Sequence, residues 1–420
     1  MGVAENIGLS VPEPTQRVGW GFIGLFALAY AGTWLALLTP VLVTIALKLH
    51  QLAPESAADY QSVVLATGAF FAMIGNPLFG RLSDRTTSSF GMRRPWVVGG
   101  MLSGGAALLL IATAQTVTMV LIGWCLAQLA FNAVLAPIIA VLPDQVPLAQ
   151  RGTVAGILGI CLPLGQVGGT FLVDSVSRST LTSFMLPAAI GTIAVLLFTL
   201  VLPDRRQSVA VQPLPALREV ATWYWVSPRR YPDFAWAWLS RCLLVLGTAF
   251  LNTYQPYYLE TKLGYAMEQT PALIARGTLV QASAIVALSI LGGRLSDAIG
   301  RRKVFVLVGA TVYAAGLWII AGASSYAVFL LGMLATGIGH GVYFAVDLAL
   351  VAEVLPNRER DAGKDLGILN IANALPQAVA PAFGPAILAA GGGDYTWVFV
   401  AAGAVALCGS FAILPVRSVR

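Results

Sequence analysis

Charge is scarce in this chain: Asp, Glu, Lys and Arg make up only 10 % of 420 residues, against roughly 25 % in an average soluble domain. That scarcity excludes a cytosolic globular enzyme. Histidine is scarcer still, with only His50 and His340, so no His-Glu-x-x-His metal motif can form. Four cysteines, Cys125, Cys161, Cys242 and Cys408, each sit in an apolar run with no Cys-x-x-Cys pair, and they read as packing residues. Neither Gly-x-Ser-x-Gly nor Gly-x-x-x-x-Gly-Lys occurs. The first absence removes an elbow nucleophile and the second an ATP-driven pump, so no enzyme and no cofactor are expected.

What the chain has is apolar residues: 57 % hydrophobic composition and a mean hydropathy of +0.79. Its 43 Gly and 23 Pro follow no third-residue repeat, so they belong within helices rather than in a collagen-like or disordered chain. A helix needs about 20 residues to cross the hydrocarbon. Apolar runs bounded by charge, Pro or Gly predict twelve spans, near 18–48, 60–82, 95–114, 117–142, 152–173, 182–202, 234–259, 271–295, 304–323, 326–352, 366–390 and 395–415. The first run is too long for a signal peptide and has no small-residue cleavage site, so it is expected to stay in the mature protein.

An even number of spans puts both termini on one side, and the basic residues choose which. Alternate segments hold 20 of the 25 Lys and Arg, in clusters such as Arg93–Arg94 and Arg301–Arg302–Lys303. Positive-inside bias makes that side cytoplasmic, in a cell-membrane protein with both termini inside. The net charge of +6 is thereby accounted for without nucleic acid, because the clusters alternate with apolar runs instead of forming one surface. The lipid bilayer is the expected partner, and the protein is expected to be a monomer.

The longest polar interruption, 203–232, divides the chain into halves 1–202 and 233–420, six spans each. Internal repetition agrees. Gly80-Arg81-Leu82-Ser83-Asp84 recurs as Gly293-Arg294-Leu295-Ser296-Asp297, and Phe131 and Leu142-Pro143 recur as Phe344 and Leu355-Pro356, all at one offset of 213 residues.

These residues carry a resemblance. Gly80-x-Leu82-x-Asp84-Arg85, followed by Gly91 and the pair Arg93-Arg94, resembles the signature loop between helices 2 and 3 of the major facilitator superfamily. The second copy, with Gly293, Arg294, Asp297 and the pair Arg301-Arg302, resembles its counterpart between helices 8 and 9. The resemblance covers essentially the whole chain. It implies an all-α integral membrane fold of twelve helices in two six-helix halves, a secondary transporter working by alternating access, and a conformational latch in these loops. In physical terms, Gly80 and Gly91 allow a tight turn, while Asp84 can cap a helix or pair with a neighbouring Arg.

The first loop carries four extra residues, and with Leu37-Leu38-Thr39-Pro40 it resembles the sucrose-type proton symporters and the glycoside–pentoside–hexuronide carriers. In span 4 the Gly-Pro-x-Arg pattern of that group is replaced by Ala136-Pro137-Ile138-Ile139, with Asp144 retained. The helix-5 glycine pattern of efflux antiporters is present only at its start, as Gly156, Gly165 and Gly169. These glycines, like Gly337, Gly339 and Gly341, read as helix-contact residues.

Ionisable groups in hydrocarbon are expensive and mark function or pairing. Arg241, His340 and Asp347 lie deepest. Arg241 and Asp347 are expected at matching depth as a pair, and Asp347, His340 and Asp144 are the candidates for proton coupling. Amides and aromatics suit a hydroxyl-rich solute, since amides both donate and accept while rings stack on sugar carbons. The expected substrate-binding set is therefore Tyr30, Trp34, Gln128, Asn132, Gln166, Arg241, Asn252, Tyr254, Gln255, Gln281, Tyr343, Asn370, Asn373 and Gln377. Together they point to a proton-coupled importer of a small polar solute such as a sugar. The alternative is a proton-driven antiporter exporting a drug-like compound or metabolite, suggested by the missing span-4 arginine and by Trp34, Phe70, Phe71 and Phe131.

Overall fold

The computed structural model describes residues 16–176, 179–204, 227–299, 301–354 and 362–417. Its twelve long helices are α1 (Trp20–Leu52), α2 (Ala57–Asp84), α3 (Arg94–Ala112), α4 (Val117–Gln145), α5 (Leu148–Val176) and α6 (Thr180–Val201), then α7 (Pro232–Thr261), α8 (Thr270–Ile299), α9 (Arg302–Ala321), α10 (Tyr326–Val354), α11 (Ala362–Ala390) and α12 (Thr396–Ala412). Eleven contain stretches long and apolar enough to cross a membrane, and α12 is a shorter apolar helix. This is an all-α, multi-pass membrane fold. α4 ends at Gln145 and α7 at Thr261, three and two residues beyond the apolar runs expected from the sequence.

Helix α1 is interrupted at Pro40–Thr44 by a π-helical turn. Proline has no N–H for the carbonyl four residues back and its ring crowds that carbonyl, so the turn widens and the amide of Ile45 bonds the carbonyl of Pro40. Near the end of the same helix, buried Lys48 sends its Nζ to the carbonyl of Ala112, 3.0 Å away. A cation there offsets the unpaired carbonyls and negative dipole at the C-terminus of α3.

The two sets of six helices repeat one contact pattern. In the first, α1 packs on α5 and α6, α3 on α4 and α6, and α2 on α4; in the second, α7 packs on α11 and α12, α9 on α10 and α12, and α8 on α10. Between the sets, α2 meets α11 and α5 meets α8, pairs that a two-fold axis would exchange. Small residues permit these crossings. A Cβ on Gly165 would lie 2.8 Å from the amide of Leu35, and one on Gly169 only 2.1 Å from Thr39 Oγ1, so α5 touches α1 at backbone distance. Gly339 plays the same part where α10 crosses α9 at Tyr313, and Gly337 where α10 crosses α8 at Gln281.

The face that carries the chain's described ends is called here the terminal face, and the opposite one the distal face. On the distal face hydrogen bonds join the two sets. Gln61, fully buried near the start of α2, donates from Nε2 to the carbonyl of Thr253 at 3.1 Å and accepts at Oε1 from the Tyr257 hydroxyl at 2.7 Å. Its neighbour Ser62 shares a 2.7 Å hydrogen bond with the hydroxyl of Tyr254, whose oxygen also lies 3.2 Å from the carbonyl of Pro381. Among the described residues, the hydrogen bonds between the two sets cluster at this distal seam.

Candidate functional site

The deepest charges meet in the second set of helices. Arg241 on α7 lies nine residues inside its helix start and Asp347 on α10 seven residues before its helix end, which at 1.5 Å per residue is about 14 and 11 Å from the terminal face. Arg241 Nη1 lies 2.5 Å from Asp347 Oδ2, and its Nε donates to Asn373 Oδ1 of α11 at 3.0 Å. Both charged side chains are buried, so neither is solvated by lipid. Taking two charges out of water costs several kcal/mol each, and mutual attraction offsets this only with such close geometry. One guanidinium thus ties three helices.

His340 and Tyr343 continue the polar patch along α10. The His340 ring stacks on Phe344 at 4.3 Å and meets Tyr313 edge-on at 5.4 Å. Among the described residues its Nε2 is buried without a hydrogen-bond partner, while the buried Tyr343 hydroxyl lies against Asp347 and Ser240. Buried orphans of this kind usually hold water or mark a working site.

The amide residues of the first set lie apart from this cluster. Asn76 of α2 donates to Asn132 Oδ1 of α4 at 3.1 Å, while Asn132 Nδ2 donates to the carbonyl of Gln128. Tyr30 and Trp34 of α1 meet edge to face at 5.9 Å, with the buried Trp34 indole N–H beside the Tyr30 hydroxyl. Gln166, Asn252 and Gln377 are partly buried on α5, α7 and α11. Other residues of the expected set make helix contacts. Gln281 donates to Thr336 Oγ1 at 3.0 Å, joining α8 to α10, Tyr254 belongs to the distal seam, and Gln255 beside it is buried. The side chain of Asn370 lies outside the described residues.

Asp144 is not with Asp347. It sits at the terminal-face end of α4, where its Oδ2 accepts from Arg93 Nε at 3.0 Å. Arg93, 4 % exposed, also reaches Asp84 Oδ1 and Ser83 Oγ, each at 2.5 Å, and so clamps the ends of α2, α3 and α4. Asp204, just beyond α6, accepts the backbone amides of Arg93 and Arg94 at 2.8 Å each, capping α3. Gly91 makes room for it: its φ is +106° and a Cβ there would lie 2.1 Å from Asp204 Oδ2. Arg94 in turn donates to the carbonyl of Leu202. Gly80 turns a helical face toward Ala136, and Arg81 and Arg85 flank the clamp, partly buried.

In the second set, Lys303 Nζ bonds the carbonyls of Leu414 and, at 2.7 Å, Val416. This copies the tie from Arg94 to Leu202, and in both copies a Leu-Pro pair ends the last helix. Arg301 is exposed and Arg302 partly buried. The side chains of Arg294 and Asp297, and Gly293 with them, lie outside the described residues.

Sequence reasoning missed four participants. Gln61 and Ser62 open an apolar run just after Asp59, and Tyr257 belongs to an unusually tyrosine-rich stretch, Tyr254-Gln255-Pro256-Tyr257-Tyr258, a signal that could have marked a seam. Asp204 stands at a helix end like many other acids, and nothing local distinguishes it.

A lateral groove of about 560 Å³ between α2, α3 and α4, lined by Phe79, Trp96, Gly100 and Ala130, holds none of the buried charges. By fold the chain matches a bacterial homolog of the human lysosomal transporter Spinster, solved inward-facing and unoccupied, with a TM-score of 0.66 at 15 % identity over 95 % of this chain and 99 % of that one. It also matches the nucleoside transporter NupG (D323A mutant), with a TM-score of 0.66 at 14 % identity over 94 % and 98 %. By sequence it is 30 % identical over 108 residues to the uncharacterized MFS-type transporter YfiU of Bacillus subtilis, covering 26 % of this chain and 20 % of that protein. It is 31 % identical over 99 residues to the multidrug resistance protein MdtL of Shewanella oneidensis, 24 % of each chain. A 39-residue stretch is 51 % identical to the uncharacterized symporter sll1374 of Synechocystis, 9 % of this chain and 7 % of that one. The chain thus matches only about a quarter or less of these relatives' length. The family profile reaches much further, matching residues 22–289 and 277–420, and the chain belongs to the Major Facilitator Superfamily.

Proposed function

We propose that this protein couples protons to the symport of a small polar solute such as a sugar, by alternating access between halves 1–202 and 233–420 joined by the linker 203–232. The observation that carries the reading is the buried Arg241–Asp347 pair with Asn373 on the guanidinium. A carboxylate held by one arginine in a water-poor site can exchange that partner for a proton, and each state presents a different Arg241 to a solute. Asn76, Asn132, Tyr30 and Trp34 on the other half supply neutral hydrogen-bonding and stacking groups, suited to hydroxyls rather than to a formal charge. The arginine clusters support a cytoplasmic terminal face, with the distal seam closing the outer side. The bundle works as a monomer in the cell membrane, its site residues coming from one chain.

The alternative, proton-driven export of a drug-like compound, is favoured by Ala136-Pro137-Ile138-Ile139, where an arginine is missing, and by the relative MdtL. Proteoliposomes with an imposed pH gradient, offered disaccharides and cationic dyes in parallel, separate the two. Accumulation of a sugar with the proton gradient is expected. Dye moved against the gradient, with no sugar accumulated, overturns the symport reading.

A further inference from the structure

Beyond the hydrogen bonds of the distal seam lies a contact of another kind. His50, at the end of α1 in the first half, places Nδ1 3.7 Å from Glu260 Oε1, at the end of α7 in the second. That is an ion-pair distance rather than a hydrogen bond. Both side chains remain reachable from outside, 29 % and 26 % exposed. Because the partners belong to opposite halves, the contact must break whenever the distal face opens.

The surrounding charges make His50 the deciding one. Glu55 and Asp59 stand on the turn after α1 and at the start of α2. Glu268, on the short turn Met267–Gln269 that packs against the end of α1, is near enough to act on Glu260. Both local lysines are engaged elsewhere, Lys48 on the carbonyl of Ala112 and Lys262 on Asp394 at 3.2 Å. The backbone amide of Thr396 bonds Asp394 at 2.9 Å and, with Lys262, holds its carboxyl below the usual range, so it stays ionised. Tyr257 and Tyr395, stacked at 6.1 Å, close the inner side without charge. Among the described residues the rim is thus rich in carboxylates; besides the two engaged lysines it carries Arg276, on the second turn of α8 beside Tyr326, and His50 adds a positive charge directly against Glu260 when protonated.

We infer that His50 and Glu260 form a proton-sensing clasp on the outer rim, a regulatory proton site separate from the buried Arg241–Asp347 pair. The inference rests on the alternating-access reading. Its sign follows from histidine chemistry: imidazole gains its positive charge as pH falls through the range 8 to 5. Acid outside therefore strengthens the bridge and holds the distal face closed, and the hold is lost as pH rises. A partly exposed pair of this kind shifts a two-state equilibrium by about two- to fivefold.

The test is a distance measurement between spin labels on Gln115→Cys and Ser324→Cys, exposed loop positions on opposite halves. It uses the full chain in nanodiscs, in a background lacking the four native cysteines. From pH 8 to pH 5.5 the ratio of closed to open distances should rise about two- to fivefold. His50→Gln should abolish the rise, while His50→Lys should keep the closed population high at both pH values. A rise that persists in His50→Gln, or no rise in the parent protein, overturns the clasp. The readout needs no solute, so a pH-dependent ratio in a protein that moves no probe leaves the clasp standing and overturns the transport reading instead.

Discussion

Asp347 is 2 % exposed and 2.5 Å from the guanidinium of Arg241, and that geometry fixes what each substitution should do. Asp347→Ala strands a buried cation, which costs about 3–5 kcal/mol and should lower the unfolding temperature in detergent sharply. Asp347→Asn keeps a neutral acceptor, so the fold should survive with a smaller loss. Adding Arg241→Gln removes the unpaired charge and should recover most of the stability of the parent, since a neutral pair needs no counter-ion. Function should divide differently. Asp347→Asn, alone or with Arg241→Gln, is expected to abolish proton-driven accumulation while solute exchange across the membrane persists. Accumulation by Asp347→Asn at every pH tested would make the aspartate structural and turn attention to His340, whose Nε2 is buried without a hydrogen-bond partner among the described residues.

At the level of helices, the crossings and the loop clamps call for opposite expectations. Gly169→Leu drives a side chain into Thr39, whose Oγ1 leaves no space for even a Cβ; α5 cannot then lie on α1, and the yield of folded protein should collapse. Asp84→Asn acts on a carboxylate that is 56 % exposed and shares Arg93 with Asp144. It should leave folding intact, because Arg93 keeps Asp144 and Ser83, and should slow flux by biasing the end states. Unchanged flux together with unchanged labelling of both membrane faces would remove the latch role. The same contrast explains what the sequence made legible. Helices announce themselves through long apolar runs, so all twelve were readable, with ends short by several residues where polar turns continue a helix. The depth match of Arg241 and Asp347 was readable too, since 1.5 Å per residue converts position into height. Lateral neighbours were not. The resemblance set Asp144 among the proton-coupling candidates with no sign that Arg93 would lie against it, and residue spacing gave no hint that Tyr254 meets Ser62.

Across the whole molecule, the repeated packing of two six-helix sets brings polar groups of both together at the distal seam. Gln61 uses both ends of its amide there, on the Thr253 carbonyl and on the Tyr257 hydroxyl. In a closed seam these groups are dry, and in an open one water serves them equally well. Tyr257→Phe therefore removes a partner from Gln61 Oε1 only in the closed state. Leaving a buried acceptor unsatisfied costs about 1–3 kcal/mol, which should raise the population open on the distal face by about fivefold or more. Gln61→Leu should act in the same direction, because it orphans the Tyr257 hydroxyl, while the Thr253 carbonyl keeps its place inside α7. The double variant removes donor and acceptor together. Replacing both members of a buried hydrogen bond with apolar groups of similar shape is nearly neutral, so the doubly substituted protein should return toward the closed population of the parent. This order, two open single variants and a closed double, follows from hydrogen-bond accounting and not from loss of packing, which would add in the double. Spin-label distances across the distal loops read it directly. A double variant more open than either single one would show that the seam is held by shape and that its hydrogen bonds do not set the gate.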